Sequence, residues 1–239
     1  LPIYVEDLHK SVIKIIDLSN SENIYTFDFD IKKINELSGL NFKNYRFLYY
    51  HPLLLDDGSI ILKGNDTPIF KIDLCKNLEW VNYNETTHHS TEIDHENNVW
   101  VPALFLYNLK KNNLFENDDK KMLDRVIDHA ILKINLKGQV LFKKSVLEIL
   151  LENNVIKSKY DYIKNSTPIH LNDIEPALSD TQFWKKGDLF LSLRNPSSII
   201  HYRPSNNKVI NVISGWPINE QHDVDIISEN EISIFNNKN

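Results

Sequence analysis

The chain has 239 residues, with 27 Lys and Arg against 33 Asp and Glu (net charge −6) and 41% hydrophobic residues. That suffices for a sizeable core, while a single cysteine, Cys75, excludes both an intrachain disulfide and a Cys-based zinc site. A mildly acidic chain without a basic block disfavours nucleic acid as a partner, and no apolar run approaches the roughly 18 residues of a membrane span.

The sequence opens on Leu1 rather than Met and shows no signal segment, so the expectation is one domain over residues 1–239, truncated at one or both ends. Short runs rich in β-branched and aromatic residues predict strands at Val12–Leu18, Asn23–Phe29, Pro52–Leu55, Ser59–Leu62, Pro68–Leu74, Val99–Leu106, Ala130–Leu136 and Gln139–Lys143. Ser145–Asn153 predicts a helix, with Ser145 as N-cap and Glu148 three residues on in a capping-box pattern. Asn117–Asp128 reads as a charged helical excursion. Strands follow at Asp188–Leu193, Ser198–Tyr202 and Lys208–Ile213. The sequence holds 29 Asn and 29 Ile but 6 Gly. Asn is the next-best residue for turns that need a positive φ, so it is expected to do glycine's work there. A compositional drift toward Asn, Lys and Ile gives the same counts.

Two elements repeat. The first is a strand, Ile13–Leu18, Ile69–Leu74 and Ile131–Leu136, with a looser copy at Ile199–Pro204, each followed by a polar turn and another strand. The second opens on histidine at His51, His89, His170 and His222, the last three with the spacing His-x-x-(Asp/Glu)-Ile. A His-opened strand, a turn, a second strand and a closing hairpin make four strands per unit, the grammar of a β-propeller blade. The predicted fold class is therefore all-β: a β-propeller of four-stranded blades with a short helical insertion. In such a fold the four His converge on one rim of the central channel. His51, followed by Pro52 and Leu53, reads as structural; His9, His95, His129 and His201 have no place in the repeat and read as surface or core polar groups. Trp80, Trp100 and Trp184 read as blade packing, and Trp216, just before Gln221-His222, as a candidate at the channel mouth.

Three stretches carry a family resemblance: Thr167–Glu175 with its His-x-Asn; Asp188–Ile199 with Ser-Leu-Arg-Asn; and Gly215–Asn236 with Gln-His-Asp. Together, and in this order, they resemble the bacterial arylsulfotransferases. The resemblance implies a six-bladed propeller that moves a sulfuryl group from a phenolic sulfate ester to a phenol acceptor, with no nucleotide sulfate donor. It implies no cofactor, no metal and a periplasmic or extracellular location, and a homo-oligomer is compatible with it. It gives His222 the part of the nucleophile, through a sulfohistidine intermediate. His170, Asn172, Arg194 and His89 would surround the sulfuryl group; Trp216, from its place before Gln221-His222, is a candidate substrate contact at the channel mouth.

The residue types suit that chemistry. Sulfuryl transfer needs an in-line nucleophile and donors aimed at the equatorial oxygens. A neutral imidazole can attack, a second can move the phenol's proton, and a guanidinium and an amide can hold the oxygens. Asp173 and Asp223 are candidates to orient an imidazole. The alternative is a non-catalytic propeller that binds a ligand or protein with its His-lined rim. A lesser one is a three-His zinc site, which no carboxylate or Cys pattern supports and which Arg194 opposes.

Overall fold

Apolar residues at alternate positions, interrupted by Asp, Asn and Gly turns, give almost entirely antiparallel strands in the computed structural model, which describes residues 1–8, 10–39, 41, 47–105, 127–157 and 169–237. The chain divides into two compact units, Leu1–Thr91 with Asn135–Gln139, and Glu92–Ile134 with Val140–Asn239.

In the first unit, β1 (Pro2–Val5), β2 (Lys10–Ile16) and β3 (Asn23–Phe27) form a three-stranded antiparallel sheet. The helix α1 (Lys32–Ser38) follows and ends at Gly39 in the left-handed region, φ 69°. A meander then runs through β4 (Leu53–Leu54), β5 (Ile60–Lys63), β6 (Thr67–Ile72) and β7 (Leu78–Thr87), each strand antiparallel to the next. Ile13, Phe27, Ile34, Phe70 and Ile72 build the core of this unit. The sequence patterns give no sign of α1: its N-cap, Ile31, makes no side-chain capping bond. Buried Ile31 and Ile34 have the i, i+3 spacing of one helix face, but two positions are too short a pattern to mark a helix in the sequence.

In the second unit, β8 (Glu92–Ile93), β9 (Val99–Phe105), β10 (Asp128–Ile134) and β11 (Val140–Ser145) pair in sequence order. The helix α2 (Val146–Glu152) starts where the sequence predicts, with Ser145 Oγ accepting from the Glu148 N–H at 3.0 Å. Its buried face of Val146, Leu147, Ile149 and Leu150 joins Trp100, Ile174, Leu191 and Tyr202 in one core. Next comes a four-stranded antiparallel meander, β12 (Leu171–Pro176), β13 (Leu189–Leu193), β14 (Ser198–Arg203) and β15 (Lys208–Ser214). A final pair, β16 (His222–Ile226) and β17 (Ile232–Phe235), ends the described chain. Strands β12 to β14 are almost wholly buried, whereas β15 exposes Lys208 and Asn211 along its edge. An edge strand carrying lysine and amides resists pairing with other chains. The all-β class is thus observed, and β4–β7 and β12–β15 each realise the four-strand unit read from the repeat. Of the excursion predicted at Asn117–Asp128, all but Ile127 and Asp128 lies outside the described residues, and Asp128 opens β10.

The first repeat has a physical basis in its turns. Asp17, Asp73 and Asn135 occupy the same position, and each backbone N–H closes the turn onto a carbonyl four or five residues on: Glu22, Asn77 and Gln139, at 2.9, 3.0 and 3.0 Å. Each side-chain oxygen also accepts from an N–H inside its turn, from Ser19, Asn77 and Lys137 in order. This is the local bond that draws Asp and Asn into turns. Asn97 and Asn207 sit in the left-handed region, at φ 58° and 56°, as expected of Asn standing in for Gly. Trp100 and Trp184 are buried as predicted, at 4% and 6% exposure.

Trp80 donates from Nε1 to the Leu136 carbonyl at 2.8 Å and lies flat on Gly138, whose φ is 77°. A Cβ at Gly138 would stand 2.6 Å from Trp80 Cε3. Gly138→Ala is therefore expected to destabilise the protein by about 1–3 kcal/mol through clash and backbone strain. Urea unfolding of the two proteins measures this.

Candidate functional site

Three of the four repeated histidines share an unusual backbone. His51, His89 and His170 have φ values of 42°, 52° and 49°. A non-glycine residue pays for that conformation, and such residues gather at functional sites. In the fourth copy the left-handed residue is Asp223, φ 53°, one position after His222. Sheet pairing slips at the same places. Asn172 is skipped between Leu171 and Asp173 in the β12–β13 register, and Asp223 between His222 and Val224 in β16–β17. Bulges of this kind re-aim side chains at the ends of strands.

Within the second unit these features bring His170, Asn172, Arg194 and His222 together. The Arg194 N–H donates to the His170 carbonyl at 3.0 Å, tying the turn after β13 to the start of β12. Asn172, 3% exposed, donates from Nδ2 to the Gln221 carbonyl at 2.8 Å. Its Oδ1 finds no hydrogen-bond partner among the described residues. The His170 and His222 rings lie edge to face, centroids 6.5 Å apart. His222 Nδ1 is 2.6 Å from Asn237 Nδ2, which also donates to the Glu220 carbonyl at 2.8 Å. The Arg194 guanidinium donates from Nη1 to Asn195 Oδ1 at 3.0 Å and from Nη2 to Glu220 Oε2 at 2.7 Å.

Burial, then the charge of Arg194, then that of His222 hold the His170 pKa below the usual imidazole value. His222 is also held low, chiefly by burial and also by Arg194, against the opposing pull of its hydrogen bond to the Glu220 backbone and of the Asp223 and Glu220 charges. Both rings are therefore neutral near pH 7, the form that can attack an electrophile or accept a proton. They are also the groups here with the chemistry to ligate a metal, but the neighbouring guanidinium opposes a cation.

The other predicted residues lie differently. His89 belongs to the first unit; its Nδ1 is 2.8 Å from that of His88, and its carbonyl accepts from the buried Lys63 ammonium. Trp216 is 94% exposed and shares no described contact with the four residues above. Asp173 serves the backbone: its Oδ2 accepts from the Val224 N–H at 2.7 Å. Asp223 acts on His222 through its charge.

Sequence reasoning missed three participants. Gln221 is fully buried, and its Nε2 lies within 3.2 Å of Ser192 Oγ and the Leu193 and Ser198 carbonyls, a clamp on the turn that carries Arg194. Glu220 holds the guanidinium. His129, 4% exposed, has its ring 5.8 Å from that of His170, and burial followed by the His170 charge pushes its pKa down to about 3. Gln221 and Glu220 adjoin the Gln-His-Asp motif; His129 carries no sequence signal.

The comparisons bear on the same stretch of chain. The model of the arylsulfotransferase (ASST) family matches residues 51–239, which include every residue of this group. The chain belongs to the arylsulfotransferase family. No curated protein matches it. Among solved structures, one of a protein of unknown function from Bacteroides caccae aligns with a TM-score of 0.52 at 11% identity, over 93% of this chain and 60% of that one. The chain thus spans about 60% of the length of that relative. A virginiamycin B lyase from Staphylococcus aureus, catalytically inactive and solved with quinupristin, aligns with a TM-score of 0.45 at 10% identity, over 94% of this chain and 77% of that one. A streptogramin B lyase aligns at 0.44 and 11%, over 80% and 55%. Both lyases are too loosely similar to bear on function.

A row of carboxylates accompanies this family member's histidines. Burial, and then the charges of Asp173, Glu175, Asp223 and Asp225, raise the Glu92 pKa to about 9. An acid raised on folding stabilises the fold less as pH climbs above its unfolded value, 4.5, toward 9. Glu92→Gln removes that loss. Urea unfolding at pH 5 and pH 8 should show the variant gaining on the wild type with rising pH, by about 1–3 kcal/mol at the upper value.

Proposed function

We propose that the second unit performs sulfuryl transfer from a phenolic sulfate ester to a phenol, with His222 as nucleophile. The observation that carries this reading is the pair of neutral imidazoles, His170 and His222, both under the field of one guanidinium, Arg194. A sulfate ester needs that combination: a base-form nucleophile for sulfur and a cation for the oxygens that surround it.

In the first half-reaction a ring nitrogen of His222 attacks sulfur. The N–S bond forms, the S–O(aryl) bond breaks, and the phenolate leaves with the bonding pair. Arg194 and the second N–H of Asn172 balance charge on the sulfuryl oxygens. In the second half-reaction His170 takes the acceptor's proton, the acceptor oxygen attacks sulfur, and the N–S bond breaks with its electrons returning to His222. The proton held by His170 goes to the next departing phenolate, so the cycle closes without an external acid. The depressed pKa of His170 favours that release. Trp216, in the same unit, joins this proposal as a further substrate contact, and an extracytoplasmic setting belongs to the same reading.

Incubation with 4-nitrophenyl sulfate and phenol tests it. The expected results are ping-pong kinetics, an acid-labile sulfate adduct on His222, and loss of both in His222→Ala. His170→Ala should lower kcat by about 10²–10⁴-fold, the range for a general acid–base group. The rate should fall on the acid side only at a pH below about 6.5, because both imidazoles are held under the free value. Binding of the ester without adduct or transfer would instead identify a binding module.

A further inference from the structure

The charge at Arg194 is already answered within the protein. Nη2 donates to Glu220 Oε2 at 2.7 Å, and the two side chains are 33% and 26% exposed, so neither is fully screened by water. Glu220 is held for this contact. Its φ is 48°, its N–H donates to Ser197 Oγ at 3.0 Å, and its carbonyl accepts from Asn237 Nδ2 at 2.8 Å. Ser197 belongs to the turn that begins at Arg194, with its N–H on the Arg194 carbonyl at 3.0 Å. One loop residue and one turn therefore bind each other through backbone, hydroxyl and ion pair. The loop residue is next but one to His222.

An anion that approaches Arg194 meets this carboxylate. A guanidinium has five N–H donors, and Asn195 and Glu220 use two. A sulfuryl group must take the remaining donors beside a fixed negative charge or displace the carboxylate. Either way its binding is weakened by repulsion or by the loss of the ion pair, and a doubly charged ion suffers more than a singly charged ester.

We propose that Glu220 is a built-in counter-anion that sets how tightly Arg194 holds sulfate, keeping free inorganic sulfate from occupying the site. Glu220 touches no reacting atom in this scheme and is a specificity-determining residue. The proposal rests on reading Arg194 as the cation that receives the sulfuryl group.

Calorimetric titration with inorganic sulfate at low ionic strength tests it on the whole chain, without need of turnover. Glu220→Gln keeps the shape and removes the charge, and it should bind sulfate about fivefold or more tightly than wild type, with binding lost in Arg194→Ala. Ser197→Ala breaks the loop's hydrogen bond but keeps the carboxylate, and its affinity should stay within about twofold of wild type. Should Glu220→Gln fail to fold, Glu220→Ala gives the same reading. Unchanged or weaker sulfate binding on loss of the carboxylate overturns the proposal. So does an equal gain in Ser197→Ala, which would make loop order the cause, and so does binding that ignores Arg194. The transfer reading is judged separately by the adduct on His222. A protein that forms no adduct yet shows the tighter sulfate binding in Glu220→Gln loses the enzyme and keeps the counter-anion.

Discussion

Strand β16 pairs with β17 along one edge, and the N–H groups on its other edge still need acceptors. Side chains of β12 provide them. Asp173 Oδ2 accepts from the Val224 N–H at 2.7 Å and Glu175 Oε1 from the Ile226 N–H at 3.4 Å, while Asn172 Nδ2 reaches the Gln221 carbonyl at 2.8 Å. Carboxylates and an amide here stand in for a neighbouring backbone. The register between His170, just before β12, and His222, at the start of β16, depends on them. A slip of one residue along either strand would turn an imidazole away, since side chains alternate between faces.

The same choice creates the electrostatics. Acceptors for backbone N–H groups are cheapest as carboxylates, so acid accumulates along β8, β12 and β16, and Glu92 and Glu175 are raised to about 9 and about 7 mainly by burial. At the histidine end the sign changes. Burial, with the charge of Arg194 beside it, keeps both imidazoles neutral. A cation in acidic surroundings is fixed by a partner, and Glu220 is that partner. Reactive imidazoles and an anion-binding group thus coexist with a net acidic chain.

The histidine repeat was legible because it reflects a backbone requirement: His51, His89 and His170 occupy equivalent left-handed positions. The turns were legible for a similar local reason, with Asp17, Asp73 and Asn135 each bonding N–H groups a few residues ahead. The helix α2 announced itself through Ser145 and Glu148. By contrast α1 has no cap to read, and the ring of His129 reaches that of His170 from a different sheet. Trp216, read as a site residue from its place in sequence beside the Gln-His-Asp motif, is 94% exposed.

The sequence by itself determined the all-β class and the repeated strand unit, since these rest on local spacing and turn chemistry, and its resemblance to the arylsulfotransferases named His170, Asn172, Arg194 and His222 as candidates. Only the tertiary structure decided what those residues do to one another. Gln221 became a clamp on the turn that carries Arg194, Asp173 an acceptor for the Val224 backbone, and Glu220 the counter-charge of Arg194. The contacts responsible join residues 23 to 51 positions apart. Their energies depend on burial and direction, which no one-dimensional pattern encodes.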